Sequence, residues 1–199
     1  QKLANFCRSA NIHPSLPCRL TMASKKESTN GSAAKTAPKK LYIQKKSGIH
    51  NRGLFAKEDI PAGARIIEYV GERITKAEAQ RRAAAWDEKA RKKGDGFVYI
   101  FELNKRYDID GNVAYNPARL INHSCDPNCE AENIRGHIWI MATRPIAKGE
   151  ELSYDYGYDM EHFLEHPCYC NTKKCIGYIV REDQRKRVKS LIQRAKKKQ

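Results

Sequence analysis

Asn116-Pro-Ala-Arg119-Leu-Ile-Asn122-His123-Ser124-Cys125-Asp126-Pro127-Asn128-Cys129 packs amide, imidazole, thiol and proline-turn chemistry into consecutive positions. In isolation an Asn-His pair is a turn with a satisfied histidine more often than a ligand site. Two downstream runs change that balance. Glu151-Leu-Ser-Tyr154-Asp-Tyr156 alternates aromatic and polar residues as a strand does, and Cys168-x-Cys170-x4-Cys175 gathers three thiols. A tetrahedral zinc takes four soft or borderline ligands, and these cysteines supply all but one.

Around these runs the apolar stretches are short and punctuated by Gly and Pro: Leu41–Ile43, Gly53–Ala56, Arg65–Val70, Phe97–Leu103, Tyr107–Asp110, His137–Ala142 and Glu151–Tyr156. These are strand signals. A helix interrupts them over about Thr75–Lys93, opened by the capping box Thr75-Lys-Ala-Glu78 and closed near Gly94. Its Ala, Arg, Lys and Glu content predicts a mostly exposed helix. Ile60-Pro-Ala-Gly63 and Ile146-Ala-Lys-Gly149 echo each other, each a turn feeding a strand, which suggests two similar units in one sheet system. After Tyr178 the pattern turns helical, with Val188, Leu191 and Ile192 on one face of a basic segment. That face either docks on the body or waits for a partner.

At 199 residues and 40% hydrophobic the chain is sized for one domain with tails. Its net charge of +15 sits at the two ends. Residues 1–40 hold 8 Lys/Arg and 1 acidic residue, residues 181–199 hold 9 and 2, and the stretch between is close to neutral at 21 and 20. This argues against a dedicated basic groove and for solvated or polyanion-seeking tails. The best membrane candidate, Ala64 to Val70, is broken by Arg65 and Glu68, so a soluble protein is expected. The cysteine cluster is more typical of a metal site in a reducing compartment than of a disulfide scaffold, which predicts an intracellular protein. Residues 1–40 read as a disordered basic tail. Within it, Met22-Ala-Ser-Lys-Lys would make an ordinary start, so 1–21 are expected to be a gene-model extension or a processed leader.

Taken in order along the chain, Asn122-His-Ser-Cys125, Glu151-Leu-Ser-Tyr154-Asp-Tyr156 and Cys168-x-Cys170-x4-Cys175 resemble the SET-domain protein-lysine N-methyltransferases with their post-SET zinc motif, and most of all the chromatin-associated branch. The likeness starts at Gly48-Ile-His-Asn-Arg-Gly-Leu-Phe55, where Leu54 or Phe55 stands in place of a second glycine. It passes through Gly71 and Phe97-Val-Tyr99-Ile-Phe101, and ends near Gly177. It implies a mainly β (α+β) fold: several small sheets in a β-clip, one inserted helix and a threaded, knot-like C-terminal segment. The implied divisions are a SET domain over 41–160, a post-SET zinc segment over 161–178 and a basic helix or tail over 179–199. No Gly-x-Gly-x-x-Gly follows a strand, so the doubly wound methyltransferase fold is excluded.

The resemblance also implies S-adenosylmethionine as methyl donor and a structural zinc. His50, Arg52, Gly53, Leu54, Tyr99, Asn122, His123 and Tyr169 would form the donor pocket, since a sulfonium beside a carboxylate and an adenine calls for backbone dipoles, an amide and aromatic faces. Tyr156 would be the catalytic tyrosine, with Tyr99 and Tyr154 lining the lysine channel. A tyrosine rather than phenylalanine at Tyr154 tends to favour monomethylation. Cys125, Cys168, Cys170 and Cys175 would hold the zinc, with Cys129 the rival fourth ligand, His166 a weaker one, and Cys7 and Cys18 outside the site.

The acceptor lysine arrives protonated, and neutralising it at pH 7 costs about 4–5 kcal/mol before chemistry starts. An apolar aromatic tunnel and a neighbouring positive charge both lower that cost. A protein substrate with an exposed lysine, such as a histone tail, is implied, and the basic ends are candidates for DNA or nucleosome contact and for automethylation. The chain belongs in the nucleus if eukaryotic, or in the cytoplasm or nucleoid if bacterial. The competing function is a catalytically weak or inactive module that binds chromatin or nucleic acid through its basic tails.

Overall fold

The computed structural model describes residues 39–93 and 99–197. The tail expected over 1–40, the extension expected over 1–21, and Cys7 and Cys18 lie outside them, apart from Lys39 and Lys40. The strands are β1 (Tyr42–Lys46), β2 (Arg52–Ala56), β3 (Arg65–Tyr69), β4 (Glu72–Thr75), β5 (Ile100–Glu102), β6 (Tyr107–Asp110), β7 (Asn122–His123), β8 (Cys129–Ile134), β9 (His137–Ala142) and β10 (Ser153–Tyr154). The helices are α1 (Lys76–Lys93) and α2 (Arg185–Lys196), with short 3₁₀ turns at Pro117–Leu120, Met160–Glu165 and Glu182–Gln184. Among the described residues the strands form four small sheets, β1-β2, β10-β7, β3-β9-β8 and β4-β6-β5. This is the mainly β architecture of several small sheets that the motif order implies. No helix among the described residues is long and apolar enough to cross a membrane.

The echoed segments pair with each other. Ile60 and Ile146 form an antiparallel bridge, each amide donating to the other's carbonyl at 2.8 Å, and both side chains are buried. Each then enters a turn whose third residue, Gly63 or Gly149, has positive φ, 76° and 88°. A side chain would be strained there, which is why glycine recurs. In β3 the register against β9 shifts between Arg65 and Ile67. That bulge turns two consecutive isoleucines, Ile66 and Ile67, inward together.

β4 and β8 carry no apolar run, so neither is marked as a strand by its own composition. β8 reads Cys-Glu-Ala-Glu-Asn-Ile and is set by its hairpin with β9, where Arg135 and Gly136 have φ of 53° and 85°. Both central positions positive is the twist a two-residue hairpin needs. α1 begins one residue later than predicted, with Thr75 Oγ1 accepting from the Glu78 amide at 3.3 Å. It docks on the β4-β6-β5 sheet largely through charge. Lys76 reaches Asp108 at 2.6 Å, and Arg82 reaches Asp110 at 2.6 Å and Glu72 at 2.7 Å.

The main core gathers Leu54, Ile60, Tyr69, Ile121, Ile140, Ile146 and Leu152. A second cluster holds Cys125, Cys168 and Cys170 with Cys175 and Ile179. α2 is docked on the body, with Val188 wholly buried and Ile192 half-buried, while Leu191 stays 41% exposed.

Candidate functional site

β7 and β10 pair in parallel over two residues each, Ser153 with Asn122 and Tyr154 with His123. This ladder sets the Asn-His motif against the tyrosine motif. Asn122 is buried, and its Nδ2 donates towards Glu151 Oε1 (2.8 Å), Ser47 Oγ (3.0 Å), the Arg52 carbonyl (3.2 Å) and the His50 carbonyl (3.3 Å). One amide thus pins the 47–52 loop, and Ser47 closes the ring by donating to Glu151 Oε1 at 2.7 Å. Ser47 Oγ also accepts from the amides of Ile49 and His50. Gly53 passes directly over this cluster: a Cβ there would fall on the Glu151 carboxylate.

Of the predicted donor residues, Asn122 and Gly53 meet at this point, with the His50 and Arg52 carbonyls facing Asn122, while the His123 ring turns to Tyr156 and Cys125. Leu54 packs wholly in the main core, its carbonyl accepting from the Leu152 amide at 2.8 Å. Tyr169 is 59% exposed between two of the cluster cysteines. Neither Ser47 nor Glu151 is among the donor residues expected from the sequence, where Glu151 only opens the tyrosine motif. Only their meeting across 104 positions shows them.

An aromatic cluster fills the other side of the ladder. The Tyr154 ring lies 5.0 Å from Tyr156 and 5.7 Å from Phe101, Phe101 lies 4.5 Å from Tyr69, and Tyr156 lies 5.8 Å from Tyr158. Tyr99 meets Trp86 edge-on at 5.9 Å, and its carbonyl accepts from the Tyr69 hydroxyl. Burial, followed by the neighbouring phenols, holds Tyr154 and Tyr156 far above the usual tyrosine range. Both remain neutral phenols at any physiological pH. The Tyr156 hydroxyl donates to the Ile121 carbonyl at 3.0 Å. With its proton so committed, its oxygen has only lone pairs to offer a newcomer.

His123 joins the two halves. Its Nδ1 accepts from the Tyr156 amide at 3.2 Å, which places the ring proton on Nε2, 3.5 Å from Cys125 Sγ. The ligand atoms of Cys125, Cys168, Cys170 and Cys175 lie within 4.8 Å of one another, with Cys125 and Cys168 Sγ 3.8 Å apart. Four sulfurs at about 2.3 Å from a tetrahedral centre would be separated by about that much, so the set fits zinc. The hydrogen bond between Cys125 and Cys168 pulls the Cys125 thiol down, with help from His123, and pushes Cys168 up. Backbone amides of Cys125 and Gly177 point at the sulfurs of Cys170 and Cys175, 3.4 Å away in each case; both bonds favour thiolate, though at Cys175 burial outweighs the amide and holds the thiol above its ordinary value. Cys129 lies instead in the main core, its thiol pushed up to about 12 by burial. The His166 ring packs on Tyr158 at 4.8 Å.

A family model described as SET domain matches residues 51–157. Among similar proteins is the histone-lysine N-methyltransferase, H3 lysine-4 specific, of Saccharomyces cerevisiae, 42% identical over 147 residues that make up 71% of this chain and 13% of that protein. The histone-lysine N-methyltransferase trithorax of Drosophila melanogaster is 40% identical over 138 residues, 67% of this chain and 4% of that one. Histone-lysine N-methyltransferase 2D of Homo sapiens is 38% identical over 140 residues, 68% of this chain and 2% of that one. This chain therefore spans only a small part of the length of the relatives it matches.

Proposed function

Because this chain belongs to the SET-domain family, we propose that it transfers a methyl group from S-adenosylmethionine to the side-chain amine of a protein lysine, mainly once. The observation that carries this reading is the β7–β10 ladder, which sets Asn122-His123 beside Tyr154-Tyr156 with the four cysteine sulfurs at its exit. When bound, the sulfonium donor supplies the methyl group and a positive charge. The chain's own residues do the rest.

The 47–52 loop, Gly53, Asn122 and His123 hold the donor, with Tyr99 and Tyr169 as its aromatic contacts. Tyr69, Phe101, Tyr154, Tyr156 and Tyr158 desolvate the incoming ammonium, which lowers its pKa and favours the neutral nucleophile. The Tyr156 oxygen, already donating to Ile121, accepts an amine N–H and so orients the nitrogen lone pair. Tyr154 is 8% exposed and walled by two rings, which restricts the room for a second methyl. Zinc on Cys125, Cys168, Cys170 and Cys175 would bind the C-terminal segment to the end of β7.

A histone tail is the first substrate class to test, since the relatives' names assign them to histones, and the nucleus is the corresponding compartment. The second reading, a chromatin-binding module, draws support from the exposed Lys186, Arg187, Lys189, Arg194 and Lys196 of α2, which suit DNA phosphates. These lysines are also candidate automethylation sites. Mass spectrometry after incubation with S-adenosylmethionine and histones, beside Tyr156→Phe, decides between the readings. Methyl groups on lysine that fall by a hundredfold or more in the variant support transfer. No transfer and no donor binding would favour the module.

A further inference from the structure

α2 lies beyond the residues matched by the family model, yet it sends a buried arginine into the junction between donor and lysine sides. Arg185 is 7% exposed. Its Nε donates to the Val180 carbonyl at 2.9 Å, one terminal nitrogen to the Cys125 carbonyl at 2.6 Å, and the other to the Asp155 carboxylate at 2.5 Å. A planar fork satisfied on three sides is held in one orientation, which a lysine ammonium cannot reproduce.

The β7–β10 ladder is two residues long, and the Ser124 amide donating to the Tyr154 carbonyl at 3.2 Å is its last backbone bond. The next residues outward are Cys125 on one strand and Asp155 on the other. Arg185 bonds to both, so its side chain supplies the next rung where the backbone ladder stops. Asp155 in turn accepts from the Gly157 amide at 3.0 Å and stands 3.6 Å from His123 Nδ1, the atom that receives the Tyr156 amide. The rung therefore lies between the two tyrosines and the Asn-His pair.

We propose that Arg185 is a positioning residue for methyl transfer, a clasp from the C-terminal helix that sets the lysine-side tyrosines against the donor-side strand through Asp155 and the Cys125 carbonyl. It touches neither donor nor lysine. The proposal rests on the methyltransferase reading. Loosening the clasp misaligns donor and acceptor without removing a contact to either, so turnover falls while binding holds.

Arg185→Lys, Asp155→Asn and the double variant in the full chain test this through kcat, donor Kd by calorimetry, metal content, and amide hydrogen exchange at Ser124 and Tyr156. Arg185→Lys is expected to lower kcat by about 10- to 100-fold, the range a small misplacement causes. Donor Kd stays within about threefold and metal content is unchanged, while exchange at both amides quickens by about tenfold or more. The double variant is expected to fall no further than the worse single one, because both act through one contact. Unchanged exchange, or kcat within about twofold of the parent, overturns the clasp. So does a kcat loss matched by equal losses of donor binding and metal, which marks a merely structural arginine. If the parent transfers no methyl but exchange still responds, the clasp is supported and the methyltransferase reading fails.

Discussion

Gly53→Ala tests the donor side of the site most directly. A Cβ at position 53 would overlap Glu151 Oε1, lie 2.9 Å from its Cδ and stand 3.3 Å from Asn122 Nδ2. Relief requires the carboxylate to move by about 1 Å, because ordinary non-bonded contact begins near 3.4 Å or beyond. That oxygen accepts from Ser47 at 2.7 Å and from Asn122 at 2.8 Å, and such a shift takes at least one bond out of range. A hydrogen bond to a charged group contributes about 1.5–3 kcal/mol, and partial rehydration of this half-buried carboxylate leaves a net loss of about 1–2 kcal/mol. With Asn122 and the 47–52 loop as the proposed donor contacts, the expected result is a roughly 5- to 30-fold weaker donor Kd by calorimetry. Urea unfolding should show a stability loss of similar size. A donor Kd within about twofold of the parent, whatever the stability, would refute the assignment of this cluster to donor binding.

Tyr154→Phe removes a hydroxyl from a confined ring and should shift product from monomethyl- towards di- and trimethyl-lysine by mass spectrometry; trimethyl product from the unaltered chain would sink the proposal. Chelation, or Cys168→Ser, should release one metal per chain and lower the thermal midpoint, because metal binding to such a site is folding free energy. Cys129→Ala should keep its metal, since that thiol sits in the main core, donating to Asn128 Oδ1 at 3.3 Å; metal lost from the folded variant would overturn the ligand set. The Cys129 thiol, with its folded pKa raised to about 12, stabilises the fold fully below the ordinary thiol value. That contribution is lost as pH rises from about 9 towards 12, at up to about 1.4 kcal/mol per pH unit, and Cys129→Ala should flatten this part of the stability profile measured by denaturation.

The chemistry-bearing runs were legible because their residue types are demanding. Three thiols in a short run, an Asn-His pair and alternating tyrosines have few bland explanations once they occur in order. Strands with apolar runs were legible for the same reason, and β4 and β8 were not. Glu72–Thr75 and Cys129–Ile134 are strands because an antiparallel partner, β6 for the first and β9 for the second, completes their hydrogen bonds, a fact their own composition does not carry.

By itself the sequence determined the mainly β class, the capped helix after Thr75, the glycine turns at Gly63 and Gly149, and the residue types of the site. These are local matters of propensity, capping and allowed φ. Only the tertiary structure decided that Cys125 rather than Cys129 joins the other three sulfurs, that Ser47 and Glu151 close on Asn122, and that Arg185 crosses from α2 to bridge Cys125 and Asp155. Each of these pairings spans long stretches of chain, where spacing carries no information. Burial selects among chemically equivalent partners, because an unpaired amide, carboxylate or guanidinium inside the protein costs more than any local preference can recover.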